Sequence, residues 1–135
     1  MRKTSQNYPI ELKVNASFAT LKKFYGRAKI FWHAAGFGFD EKTQPEKMEH
    51  FGITTIEAMS AGCWPLVYNA GGQKEIFKNF SQREMILWQS PEQLIQKTLR
   101  VIKSFQNKEL LTQETIKLAQ KFSIKAFKKN VQRFL

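Results

Sequence analysis

"MEHFGITTIEAMSAGCWPLVYNAGGQKE", residues 48–75, carries the change of pattern that decides the fold. Gly52 opens a run in which Ile53, Ile56, Ala58, Met59 and Ala61 recur at helical spacing until Gly62 stops it. "CWPLVY" then reads as a buried strand, and "NAGGQ" turns the chain into a short helix near "KEIFKNF". The same stretch sets Glu49 and Glu57 on either side of that glycine, separated by seven residues. Two readings fit. Thr54 or Thr55 caps the helix and the acids favour its positive end, or the two carboxylates belong to a ligand site.

Working outward, "PIELKV" (9–14) predicts a strand, and Asn15 or Ser17 can cap a helix through "FATLKKFYG", where Phe18, Leu21, Phe24 and Tyr25 share a face. "AKIFWH" (28–33) predicts a second strand, followed by the long irregular connection "AAGFGFDEKTQPEKM". Beyond residue 75, "EMILW" predicts a short strand, Pro91 opens the helix "PEQLIQKTLRVIKSF", and helical patterns cover 108–121 and 123–135. Strands alternating with helices argue for an α/β fold with a parallel sheet flanked by helices, because each parallel pair needs a crossover. Ligands of such sheets bind beyond the strand carboxyl ends. The loop after His33 and the turn after Tyr68 both leave such ends, so Glu49, Gly52, Glu57 and Gly71 are expected to converge.

Composition bounds the partners. The 135 residues suit one domain with a sizeable core, and 42% hydrophobic content is ordinary for a globular chain. Lys and Arg number 22 against 11 Asp and Glu, and the resulting +11 attracts nucleic acid, anionic membrane or phosphorylated ligands alike. Clusters such as "KAFKKNVQR" fit a nucleic-acid module, but no aromatic stacking signature or base-reading motif accompanies them, so nucleic acid is not expected. The single cysteine, Cys63, excludes an internal disulfide or a cysteine-rich zinc site and fits a reducing compartment, the cytoplasm. No apolar run approaches the roughly 18 residues of a membrane span, so membrane contact is expected to be peripheral.

"EHFGITTIEAMSAGCWPLVYNAGGQKE" resembles the donor-binding segment of the retaining, GT-B-fold glycosyltransferases of the family-4 type. That pattern is a Glu, Phe-Gly, a second Glu eight positions after the first, Ala-Met, a Gly, a buried strand and Gly-Gly. Distinctive residues run from Lys29 to Glu75, and the "EHFGI" variant is most similar to members that build lipid-linked or surface glycans. The resemblance implies the Rossmann-like carboxyl-terminal half of such an enzyme, transferring a hexose from a nucleoside diphosphate to a sugar or lipid-linked acceptor with retention. It also implies roles. Glu57 would clamp the ribose hydroxyls, since a carboxylate accepts from both. Gly52 and Ile53 would offer backbone N–H groups to the diphosphate. Glu49 would contact the transferred sugar and oppose the positive charge developing at its anomeric carbon.

Alternatives stay open at several positions. Phe51 is either donor contact or core, Thr54 and Thr55 are either caps or ligand contacts, and Glu57 alone would pass for a solvated helix residue. His33 either meets phosphates or acceptor or is merely hydrogen-bonded. Gly71 and Gly72 are further candidates in the second turn, Glu75 a cap for the helix it precedes, and Cys63 a core residue. No metal-binding triplet and no cofactor are expected; the nucleotide sugar is substrate. The family's diphosphate-holding Arg and Lys have no counterpart here, because Arg27 and Lys29 precede the strand ending at His33. The loop 34–48 exceeds the family's usual link. The family's acceptor domain is expected to be missing from the 135 residues. A non-catalytic remnant, or a subunit needing a separate amino-terminal half, is therefore the competing reading. The tail "FSIKAFKKNVQRFL" is a basic amphipathic pattern that suits packing on that domain or, alternatively, a membrane surface.

Overall fold

A computed structural model describes residues 7–104 and 108–133. Ser17 caps the first helix, α1 (Phe18–Arg27), by accepting the Thr20 N–H at 3.2 Å. Strand β1 (Ile30–His33) follows, then a long loop with one 3₁₀ turn, Pro45–Lys47. Next come α2 (Ile53–Ser60), β2 (Trp64–Tyr68), α3 (Gly72–Ile76), α4 (Arg83–Ile86) and β3 (Leu87–Trp88). Three helices finish the described chain: α5 (Pro91–Ser104), α6 (Lys108–Gln120) and α7 (Ile124–Val131).

The sheet is three-stranded and parallel in the order β1-β2-β3, with Ile30 opposite Trp64, His33 opposite Val67 and Tyr68 opposite Trp88. All three strands therefore deliver their carboxyl ends, His33, Tyr68 and Trp88, to one edge. The expected α/β architecture is present: a Rossmann-like parallel sheet flanked by helices, with α2 seated on the sheet and against α6. Strand β2 is central, and Trp64, Pro65, Leu66 and Val67 are all buried. Trp64, Leu66 and Val67 pack with Met59, Phe77, Ile86, Trp88 and Val101 in the main core. Burying such side chains contributes about 1.5–3 kcal/mol each. A smaller cluster of Tyr25, Ala58 and Cys63 joins α1 to α2. The Cys63 thiol is fully buried there and donates to the carbonyls of Tyr25 and Ala28, as its reading as a core residue requires.

Two expectations, and one of the readings left open for Phe51, need correction. "PIELKV" is not a strand: Ile10, Leu12 and Val14 are exposed and pair with no strand among the described residues. Alternating apolar residues form a strand only where a neighbour supplies the ladder. "EMILW" is half helix, since the Leu87 N–H closes onto the Arg83 carbonyl and leaves only Leu87–Trp88 extended. Phe51 is not core. It is 52% exposed and meets Phe122 edge to face, ring centroids 6.0 Å apart. The last two helices keep close to their predicted bounds; Phe134 and Leu135, which the pattern 123–135 included, lie outside the described residues. Among the described residues no helix is long and apolar enough to cross a membrane.

Candidate functional site

The chain between the 3₁₀ turn and α2 is held by the side chain of Glu49. One carboxylate oxygen, Oε1, accepts the Gly52 N–H at 3.0 Å and the Phe51 N–H at 3.3 Å. The other, Oε2, faces His33 Nε2 at 3.2 Å, at the end of β1. Burial pushes this carboxyl up. Donation from Gly52, Phe51 and His33 outweighs that and holds it below the ordinary carboxylate value, so Glu49 is an anion at neutral pH.

Gly52 is the α2 N-cap and sits in the left-handed region at φ +85°, a conformation that costs other residues energy. Space forbids a side chain as well: a Cβ there would lie 2.8 Å from Ile76 Cδ1 and 3.0 Å from Gln73 Nε2. Neither threonine caps the helix. Thr54 is exposed, and Thr55 is buried with its hydroxyl accepting from Gln73 Nε2 at 2.9 Å. The Gly52 N–H, assigned by resemblance to a diphosphate, is taken by Glu49 in this structure, while the following N–H groups of the first turn have no intrahelical partner.

The second turn packs onto the same segment. The Gly72 N–H donates to the Glu49 carbonyl at 2.7 Å. A Cβ on Gly71 would come within 2.3 Å of that carbonyl oxygen, and one on Gly72 within 2.2 Å of the His50 carbonyl oxygen. These glycines let two backbones touch. Beside them lies a cavity of about 420 Å³ lined in part by Glu41, Glu46, Met48, Glu49 and Glu75. Four carboxylates in one lining suit a ligand that offers hydroxyl donors. Glu75 lies within α3 instead of capping it.

Glu57 does not join this group. It lines a separate groove of about 420 Å³ between α1 and α2, with Phe18, Lys22, Tyr25, Ile56 and Ser60. Burial raises the Tyr25 hydroxyl pKa first, and the nearby Glu57 charge adds to it, followed by Cys63. Among the described residues the Glu57 carboxylate has no hydrogen bond or ion pair. The groove joins aromatic and apolar walls to a single carboxylate and a lysine, which suits a planar ring bearing hydroxyl groups. The structure thus brings Glu49, His33, Gly52, Gly71 and Gly72 together and leaves Glu57 on the other side of α2. Ile53 is exposed, and Phe51 is half exposed with its ring against Phe122. Glu41 and Gln73 were not legible as site residues, because a loop acid and a glutamine after two glycines carry no spacing signal. Among the described residues no group of three His, Cys, Asp or Glu side chains could hold a metal ion.

With this geometry in hand, similarity to known proteins is informative. Residues 6–129 match the family described as "Glycosyl transferases group 1". A Xenopus tropicalis protein named GDP-Man:Man(3)GlcNAc(2)-PP-Dol alpha-1,2-mannosyltransferase is 41% identical over 66 residues. Proteins of the same name from Xenopus laevis and Mus musculus are 39% and 37% identical over 66 and 65 residues. The matched segment is 49% of this chain but only 11% of the Xenopus tropicalis protein. No solved structure matches the chain.

Proposed function

The chain belongs to the group 1 glycosyltransferases, and from that premise we propose that it binds a nucleoside-diphosphate sugar and serves in transferring the hexose, with retention, to a sugar or lipid-linked acceptor. The observation that carries this reading is the pinned Glu49 anion, which borders a carboxylate-lined cavity at the strand carboxyl ends. A sugar presents hydroxyl donors to such a lining, and a fixed anion opposes the positive charge that grows at the anomeric carbon. The nucleoside would occupy the groove of Tyr25 and Glu57, with Glu57 accepting from the ribose hydroxyls. The diphosphate would bridge the two across the α2 N-terminus, meeting the N–H groups of Ile53 and Thr54. The names of the similar proteins support guanosine diphosphate mannose as the donor and a lipid-linked oligosaccharide as the acceptor. The donor is substrate, and this reading assigns no cofactor.

The acceptor would be presented by a further domain or subunit. Phe122, Ile124 and Phe127 are exposed, and the stretch 121–133 holds Lys121, Lys125, Lys128, Lys129 and Arg133 without one acidic residue. This face would pack on the acceptor-binding half, with the cytoplasmic membrane surface as the second occupant.

Titration calorimetry with guanosine diphosphate tests the nucleotide part. Glu57→Gln should weaken binding by about 1.5–3 kcal/mol, the range of a hydrogen bond to a charged group, with the fold intact by circular dichroism. Unchanged affinity would remove Glu57 from the site.

A further inference from the structure

Behind Glu49 lies a buried side-chain relay that neither the family pattern nor the proposed reaction assigns. Gln73 is 1% exposed. Its amide nitrogen donates to Thr55 Oγ1 at 2.9 Å and lies 3.4 Å from His33 Nδ1, forty residues away in sequence. The opposite ring nitrogen, Nε2, faces Glu49 Oε2 at 3.2 Å. The imidazole is therefore held between an amide and a carboxylate, with the Phe31 ring beside it at 6.1 Å between centroids. Among the described residues Glu49 is the only charged group paired with that ring.

The donor and acceptor inventory fixes the polarity of this chain. Glu49 already accepts two backbone N–H groups and can only accept again, so His33 Nε2 must carry a proton. The other ring nitrogen then has two states. With a lone pair at Nδ1, the Gln73 NH₂ group donates to both His33 and Thr55, and only the amide oxygen is left buried without a partner, as it is here. With a proton at Nδ1, the amide must turn over so that its oxygen accepts, which strands two buried N–H donors instead of one acceptor. The first arrangement strands fewer groups and is the one the structure adopts.

We infer that Gln73 is a positioning residue, whose buried amide keeps the proton of His33 on Nε2 alone and thereby fixes the Glu49 carboxylate from behind. The consequence for sugar transfer rests on the donor-site reading above; the proton placement does not. Replacing the amide nitrogen by an acceptor would draw a second proton onto Nδ1 and turn a hydrogen bond to Glu49 into a full ion pair. The anion would then be less available to the sugar.

The experiment is long-range ¹H–¹⁵N correlation on the ¹⁵N-labelled chain at roughly pH 8, above the ordinary imidazole range. Only two histidines contribute, and exposed His50 is the internal reference. The parent should show His33 protonated at Nε2 only, with cross-peaks from the Gln73 NH₂ protons to the imidazole. Gln73→Glu should show both ring nitrogens protonated at the same pH. Protonation at Nδ1 in the parent, or His33 signals unmoved in a folded Gln73→Glu variant, overturns the assignment. Should Gln73→Glu fail to fold, the parent spectrum and its amide contacts decide alone. Because no nucleotide is present, the expected spectra together with absent nucleotide binding would sink the donor-site reading and leave the positioning role intact.

Discussion

Glu41 ties the long loop to the second turn: one oxygen accepts the Gly71 N–H at 2.9 Å while the other meets the Lys74 ammonium at 2.6 Å. The connection between β1 and α2 is thus fastened near its middle, thirty residues from its anchor in sequence. Glu41→Ala should release that fastening without unfolding the sheet. Limited proteolysis should cut within residues 37–47 several-fold faster than in the parent. An unchanged cleavage rate would mean that the bond does not order the loop.

Acid should weaken the site before the core. The Lys74 ammonium and the Gly71 N–H lower the Glu41 pKa from the ordinary 4.5 against a smaller opposing effect of burial. Burial works more strongly against lowering at Glu49, yet its three donors still leave the net direction downward. A carboxyl with a depressed folded pKa contributes stability that is complete above its unfolded value and lost as pH falls through the folded one. Urea midpoints should therefore hold down to roughly pH 5 and fall below it. Glu41→Gln should remove part of that slope, by less than about 1 kcal/mol because the pair is partly solvated.

Gly71→Ala and Gly72→Ala should each cost about 1–3 kcal/mol, since the added carbon lands on a carbonyl oxygen that cannot swing aside. Chemical denaturation measures this directly. Gly38, where an added Cβ meets nothing, is also at positive φ, so Gly38→Ala reports backbone strain without the clash and should cost less.

On the donor-site reading, and with an acceptor-binding half supplied, Glu49→Gln should lower turnover far more than nucleotide affinity, because its assigned partner is the sugar and not the nucleotide. Each tenfold loss corresponds to about 1.4 kcal/mol at the transition state. Parallel transfer assays and calorimetry would separate the two effects. Parent-rate transfer by the variant would leave Glu49 with only its backbone-capping role.

Anionic vesicles offer a check on the basic face of α7. Under the preferred packing reading, the chain should stay in the supernatant at physiological salt. If it pellets with anionic lipid, and Phe127→Asp prevents this while leaving the melting temperature unchanged, the membrane is the occupant instead.

Much of the fold is legible in the sequence. α2 announces itself because Gly52 and Gly62 bound an unambiguous helical period, and β1 and β2 because short apolar runs stand between helical patterns and irregular turns. Residues 9–14 show why period alone is insufficient, since Ile10, Leu12 and Val14 alternate correctly yet stay exposed and join no sheet among the described residues. "EMILW" is too short for period to distinguish a helical turn from a strand. Within the candidate site, spacing around a helix start singles out Glu49 and Gly52, and the family resemblance supplies the roles proposed for them. The Gln73–His33 and Glu41–Gly71 contacts are not legible, because they join loops and turns thirty or more residues apart, where no local period exists.

The two glutamates that flank Gly52 differ in how tightly they are held. Glu49 is bound by two backbone amides and an imidazole, whereas the Glu57 carboxylate stands without such ties in its groove among the described residues. Variation should therefore act on them unequally. A substitution at Glu49 disturbs the chain path into α2, while the walls around Glu57 can be exchanged one side chain at a time. Laboratory selection for a different nucleotide should accordingly accumulate changes along the Phe18, Lys22 and Tyr25 wall and leave the end of β1 untouched.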